Sequence, residues 1–384
     1  MRFSIISSAF VAAIVGFAAT LALLIAAAEA LGATQSQTAS WVTAICLAKV
    51  FETGWLSWRY KTPIVTAWST AGLALLGASI GFTMNEAVGA FVIAGLMLIA
   101  TGLFKPLTRL VERLPASVSA GMLAGILLPF VIGAAKAANL EPILLLPLVA
   151  LFFLVRLRNP PMAVLAVLFA GAALALFTGS IAETPKLAPS TLEFIMPEFS
   201  IAALIGLAIP LYLVTMASQN LPGIAVLKAS GYNPPAGPLI AVTGFFSTLS
   251  AFFGASTTNL AAITAAICTG DDVHPDKSKR WLTGPVYAFC YLVFALFGAS
   301  LVALFAVLPP PLIALVAGIA LLAPLANAAS IAMETIQDRV AAMATLAVTA
   351  SGISFFGIGA AFWGLAIGLI IVGLQKLTQR KKNP

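Results

Sequence analysis

Charge is scarce in this chain and histidine scarcer. Only 9% of its 384 residues are charged while 61% are hydrophobic, whereas an ordinary soluble domain carries about 25% charged residues. That balance excludes a water-soluble fold and makes lipid the solvent for most of the chain. One histidine, His274, excludes a His-based metal cluster and a Ser-His or Cys-His catalytic pair, so an embedded enzyme has no constellation to work with. The three cysteines, Cys46, Cys268 and Cys290, are odd in number and scattered through apolar runs. They read as small buried hydrophobes, neither a disulfide framework nor metal ligands, and no cofactor is implied. Period-two alternation is missing as well, which excludes a membrane barrel and leaves helices.

What is present is one apolar run after another. Fourteen can be marked, near 9–30, 38–54, 62–78, 86–104, 116–135, 141–155, 160–178, 199–218, 236–253, 256–269, 282–306, 311–328, 339–352 and 356–375. The first follows Arg2 and mimics a secretory signal, but its uncharged stretch is longer than the 7–15 residues usual for such a core, and it reads as a span. With the N-terminus cytoplasmic, 17 of the 20 lysines and arginines fall inside, among them Arg59, Lys105, Arg109, Arg113, Lys277 and Arg339. Lys136 and Lys186 fall outside and Lys49 is embedded. Basic residues favour the cytoplasmic side of short loops, so the tally predicts an even number of spans with both termini inside.

Fourteen spans suggest two halves of seven. Leu114-Pro115 followed by Ala124-Gly125-Ile126 has a counterpart in Leu308-Pro309 followed by Ala317-Gly318-Ile319. An odd number of spans per half turns the second copy upside down, the inverted repeat of many transporters. The third and tenth segments share a second pattern: Lys61-Thr62-Pro63 through Ser69-Thr70, and Gly254-Ala255-Ser256-Thr257-Thr258-Asn259. Each has an extended stretch, then Ser, Thr or Asn in cap position, then a helix-forming run. The pattern predicts two unwound stretches leading into half-helices whose amino ends face a common point, a place suited to an anion or a neutral acceptor-rich solute. Ordinary polar packing between helices is the alternative for these residues.

Three segments resemble the bacterial benzoate:proton symporter (BenE-type) family: Leu213 to Leu227 with Gly231-Tyr232, Asn259 to Gly270 with His274-Pro275-Asp276, and Thr66-Ala67-Trp68-Ser69-Thr70. The resemblance implies an all-α integral membrane protein of the uracil-permease-like fold. Two inverted repeats of seven spans would divide into core (1–104 and 191–308) and gate (105–190 and 309–384), with segments 3 and 10 discontinuous. It implies proton-coupled symport of benzoate or a related aromatic carboxylate by alternating access across the bacterial inner membrane. A same-fold carrier of a nucleobase, or a channel, is the alternative. The partners are then the carboxylate, a proton and the bilayer, with no nucleic acid; a homodimer is an open option.

Nucleobase carriers of this fold place acidic residues where Gln219 or Asn220, and Asn259, stand here. Amides suit an anion, because a buried carboxylate facing it would add repulsion to desolvation. Gln219 and Asn220 read otherwise as a helix end before Pro222-Gly223. Thr257, Thr258, Ser69 and Thr70 join the expected site, and Phe17, Trp68 and Phe252 are candidates to stack on an aromatic ring. Glu29, Glu52 and Glu334 are the leading candidates for the proton. Lys49 and Glu52, three apart, are placed to neutralise one another. His274 reads as a solvated loop residue.

Overall fold

The computed structural model describes residues 3–79, 81–104, 106, 114–178, 189–356 and 358–382. Arg2, Lys105, Arg109, Arg113 and Lys186, which entered the charge tally, lie outside the described residues. The chain runs α1 (Phe3–Ala30), α2 (Gln35–Tyr60), β1 (Thr66–Trp68), α3 (Thr70–Gly77), α4 (Met84–Leu103), α5 (Ala116–Leu140), α6 (Pro142–Arg158) and α7 (Ala163–Phe177). It continues with α8 (Ile201–Ala229), α9 (Ala236–Ala251), β2 (Thr258–Leu260), α10 (Ile263–Thr269), α11 (Thr283–Leu296), α12 (Gly298–Ala306), α13 (Pro310–Glu334), α14 (Arg339–Ala350), β3 (Ser354–Phe355), β4 (Ile358–Gly359) and α15 (Ala360–Lys382). Each of the fourteen predicted segments holds at least one of these helices. Six helices among the described residues are long and apolar enough to cross a membrane, and the pair Lys277–Leu296 and Gly298–Ala306, bent by 63°, makes a seventh if it is taken as one span.

Local chemistry accounts for the boundaries. Thr34 and Thr83 open α2 and α4 as capping boxes, each hydroxyl accepting from the amide three residues on while Gln37 or Glu86 answers with its own side chain. α2 outruns its predicted end and stops where Lys61 adopts a left-handed conformation, φ 49°. Helix α8 carries two π-helical turns, over Leu204–Ala208 and Met216–Asn220, and such turns gather at functional places because they leave carbonyls and side chains re-aimed. The repeat expected from Leu-Pro and Ala-Gly-Ile has a backbone counterpart: Pro115 and Pro309 stand before α5 and α13 with φ/ψ of −57°/122° and −56°/132°.

Small residues four apart, as at Gly121 and Gly125 or Gly364 and Gly368, let helices approach closely. A Cβ added at Gly121 would stand 2.5 Å from the Ala342 carbonyl, and one at Gly125 would stand 2.6 Å from Thr349 Cβ, both on α14. Gly364 and Gly368 bring α15 onto the same Thr345–Thr349 face. Gly77 packs against Phe130, while Gly81, four residues on, faces open space. Gly121→Val is expected to destabilise the fold by about 1–3 kcal/mol through overpacking. Its melting temperature in detergent, compared with that of Gly133→Ala at a position with nothing within 4 Å, checks this.

Candidate substrate site

The two unwound segments meet. β1 and β2 pair antiparallel, with Thr66 opposite Leu260, Ala67 opposite Asn259 and Trp68 opposite Thr258. Beyond the ladder, Ser69 N–H donates to the Thr257 carbonyl at 3.2 Å and Ala261 N–H to that of Val65 at 2.9 Å. Lipid cannot satisfy extended backbone, so two stretches from distant parts of the chain satisfy one another. From this ribbon α3 departs at Ser69, whose hydroxyl accepts from Gly72 N–H at 3.2 Å.

The second half-helix is built differently from the expectation. Thr257, Thr258 and Asn259 do not cap it: they lie in or beside β2, and α10 starts after Ala262 with no side-chain cap. Their polar atoms are engaged across the ribbon. Thr257 and Thr215 hydroxyls are 2.8 Å apart and Thr215 reaches Ser69 Oγ at 3.1 Å. With its amide oxygen toward β1, Asn259 accepts from Ser69 N–H at 3.0 Å and donates to the Leu260 carbonyl at 2.9 Å. Asn220, on the second π-helical turn of α8, accepts from Leu260 N–H at 2.9 Å. Five predicted residues, Ser69, Asn220, Thr257, Thr258 and Asn259, are thereby drawn into one fully buried network. Gln219 and Thr70 are half-buried at its margin.

Thr258 makes the most consequential contact. Its hydroxyl donates to Glu52 Oε1 of α2 at 2.5 Å, and Ser247 of α9 stands 3.1 Å away. Thr66 lies near the same carboxyl, and Oε2 has no hydrogen-bond partner. Glu52 is thus the one proton candidate brought to the ribbon. Glu29 and Glu334 are exposed at the ends of α1 and α13, since a carboxylate at a helix end keeps its water.

Lys49 and Glu52 do not neutralise each other by contact. Among the described residues ion pairs within 4.0 Å join Lys279 to Asp276 and Arg280 to Asp271. The Lys49 ammonium turns into rings instead: 3.4 Å from the Tyr291 centroid, 5.1 Å from Tyr287 and 5.8 Å from Trp68. It donates to the Tyr287 hydroxyl at 3.1 Å, which in turn donates to the Thr66 carbonyl at 3.2 Å. Phe17 closes this box edge-on to Trp68, with centroids 5.3 Å apart, and packs on Phe294 at 4.5 Å. Trp68 Nε1 and Ser256 Oγ are buried without partners, which folded proteins seldom tolerate without a reason. Phe252 belongs elsewhere, stacked on Phe194 at 5.9 Å.

Sequence reading missed Tyr287, Tyr291 and Thr215. The tyrosines carried a signal in their four-residue spacing on one helix face; Thr215 lay in the Leu213 to Leu227 segment that carries the resemblance, but nothing set it apart there as a site residue. His274 is bound into its own loop, its Nδ1 accepting from Asp276 N–H at 2.9 Å. Asp276, in that loop and outside the spans, is held below the usual carboxylate range by the Ser278 hydroxyl and amide. A cavity of about 670 Å³ opens at the far end of α3, lined by Glu29, Gly77, Pro129, Phe130, Pro310 and Ile313 among others. A smaller one of about 190 Å³ shares Pro129 and Ala78 with it and reaches Thr349. Both flank the seam where α3 meets α5, and neither is lined by ribbon residues.

Broken segments crossing at a buried polar centre within a helical membrane fold define a transporter. The transmembrane domain of a cyanobacterial bicarbonate transporter, BicA, superposes with a TM-score of 0.60 over 98% of this chain and 97% of its own at 16% identity. That likeness gives the fold, the seven-plus-seven inverted-repeat type. The chain belongs to the benzoate membrane transport protein family, whose model matches residues 1–374. It is 38% identical over 376 residues to the inner membrane protein YdcO of Escherichia coli (strain K12), covering 97% of this chain and 96% of that one. It is 37% identical over 363 residues to the benzoate membrane transport protein of Acinetobacter baylyi (strain ATCC 33305 / BD413 / ADP1), covering 94% and 92%.

Proposed function

We propose that this protein carries benzoate or a related aromatic carboxylate across the bacterial inner membrane, with a proton, by alternating access, both termini being cytoplasmic. The observation that carries the reading is the crossing of β1 and β2 beside a caged lysine and an aromatic pair. Neutral hydroxyl and amide donors, one fixed cation and two rings are what an aromatic carboxylate needs from a site away from water. The 37% identity to a protein named for benzoate transport supports the same substrate class.

In this reading Ser69, Thr70, Gln219, Asn220, Thr257, Thr258 and Asn259 surround the carboxylate, and Phe17 and Trp68 meet the ring. Residues 1–104 with 191–308 form the moving core, and 105–190 with 309–384 the gate it slides against, in a monomer or a homodimer. The cavities at the α3–α5 seam lie on the route between them. Uptake of labelled benzoate into proteoliposomes with an imposed pH gradient tests the whole. Saturable accumulation against its gradient, competed by substituted benzoates and indifferent to uracil, is expected. Uptake of uracil in place of benzoate would move the reading to a nucleobase carrier, and flux without saturation or accumulation to a channel.

A further inference from the structure

A lysine and a glutamate one helical turn apart on α2, both fully buried, make no ion pair with each other. Lys49 is 1% exposed and Glu52 0%, yet the hydrogen bond of each leads to a different strand of the ribbon. Glu52 accepts from Thr258 of β2 at 2.5 Å. Lys49 reaches β1 through the Tyr287 hydroxyl, which donates to the Thr66 carbonyl. The elements packed around Glu52 bring it no further formal charge among the described residues. β1 presents Thr66, α9 presents Ser247 and Thr243, and α11 presents Tyr287 and Tyr291 on the Lys49 side. The nearby thiols Cys46 and Cys268 are buried. One carboxyl oxygen, Glu52 Oε2, has no hydrogen-bond partner.

Resting on the symport reading above, we infer that Glu52 carries the transported proton on Oε2 and that Lys49 is the fixed positive charge that obliges proton and carboxylate to travel together. In the empty carrier the ammonium and the carboxylate cancel. In the loaded carrier an O–H bond on Oε2 removes the charge of Glu52, and the substrate carboxylate then balances Lys49. A proton alone leaves one positive charge uncompensated in low dielectric, and the substrate alone leaves one negative charge. Both are penalised far more steeply there than in water. Only the empty and fully loaded forms cross easily. On the far side the O–H bond breaks, the proton passes to water and the carboxylate leaves; no other covalent bond changes. Transport is therefore one proton per carboxylate and moves no net charge. The ribbon makes the two residues sensitive to the same event, because a shift of β2 disturbs the hydrogen bond of Glu52 and a shift of β1 disturbs the Tyr287 bond through which Lys49 reaches it.

The experiment uses the full chain in proteoliposomes with labelled benzoate. At one proton per benzoate the wild type should accumulate about tenfold per pH unit, since each decade corresponds to about 1.4 kcal/mol. Clamping the membrane potential with potassium and valinomycin should not alter that ratio. Glu52→Gln keeps Lys49 positive with no proton to lose. Its loaded form is neutral and its empty form charged, so exchange of internal for external benzoate should continue while net accumulation falls to a ratio of about one. Accumulation by Glu52→Gln at the wild-type ratio would overturn the inference. So would loss of exchange and accumulation together in a variant that elutes as folded protein, which marks a structural role. Should Glu52→Gln fail to fold, the wild-type voltage measurement decides: charge movement with each benzoate overturns the scheme, and its absence supports it. A wild type that neither exchanges nor accumulates benzoate overturns the substrate reading and this inference with it, whereas a failure confined to Glu52→Gln overturns the inference alone.

Discussion

Asn220→Asp is expected to abolish benzoate uptake at neutral pH while leaving the protein folded. Aspartate is nearly the size of asparagine and can still accept from Leu260 N–H, the bond that ties the π-helical turn of α8 to β2 at 2.9 Å. The backbone of the ribbon therefore keeps its partner. What changes is the sign of the charge offered to an incoming anion. A second negative charge about 4–6 Å from the substrate carboxylate costs about 3–4 kcal/mol at an effective dielectric of about 20. That is at least a hundredfold in affinity at about 1.4 kcal/mol per decade. Asn220→Ala is the contrasting case. It adds no charge but orphans the buried Leu260 amide, at about 1–3 kcal/mol of stability. Uptake and melting temperature measured for both variants separate the two effects. Near-normal benzoate uptake by Asn220→Asp would mean that no anion passes this residue.

Lys49→Met is expected to lose uptake as well, for the opposite electrostatic reason and with a cost in stability. Methionine fits among the Tyr287, Tyr291 and Trp68 rings, but the Glu52 carboxylate, fully buried, is left without its counter-charge. Removing one member of a buried pair typically costs about 3–5 kcal/mol. Glu52→Gln in the same chain removes the stranded charge, so the double variant Lys49→Met/Glu52→Gln should recover most of the melting temperature. It should not recover uptake, because the benzoate charge then has nothing to balance it. A double variant that transports like wild type would sever the caged lysine from function.

Much of the fold and part of the site were legible in the sequence, and the boundary follows physical lines. Composition told of lipid, and lipid left helices, since backbone groups without water must bond within their own segment. Proline, glycine and clustered hydroxyls marked 62–78 and 256–269 as the places where a helix gives way, and strands stand there. Thr258 was singled out as a helix cap and turned out to bond a carboxylate of α2. Sequence spacing can propose which polar residues leave a helix; it cannot tell whether their hydroxyls turn to the helix end or across to a strand. Lys49 and Glu52 were read as a pair because helical geometry puts residues three apart on one face. Tyr287, 238 residues further on, changed that outcome.

By itself, then, the sequence determined the solvent, the helical class, the repeat and the positions of the two breaks. Each follows from interactions between residues close along the chain or from the medium that surrounds it. Tertiary structure alone decided that the breaks pair with each other, that rings hold the buried lysine and that one glutamate of three meets the ribbon. Those depend on which faces of distant segments touch, and periodicity names the face without naming the neighbour.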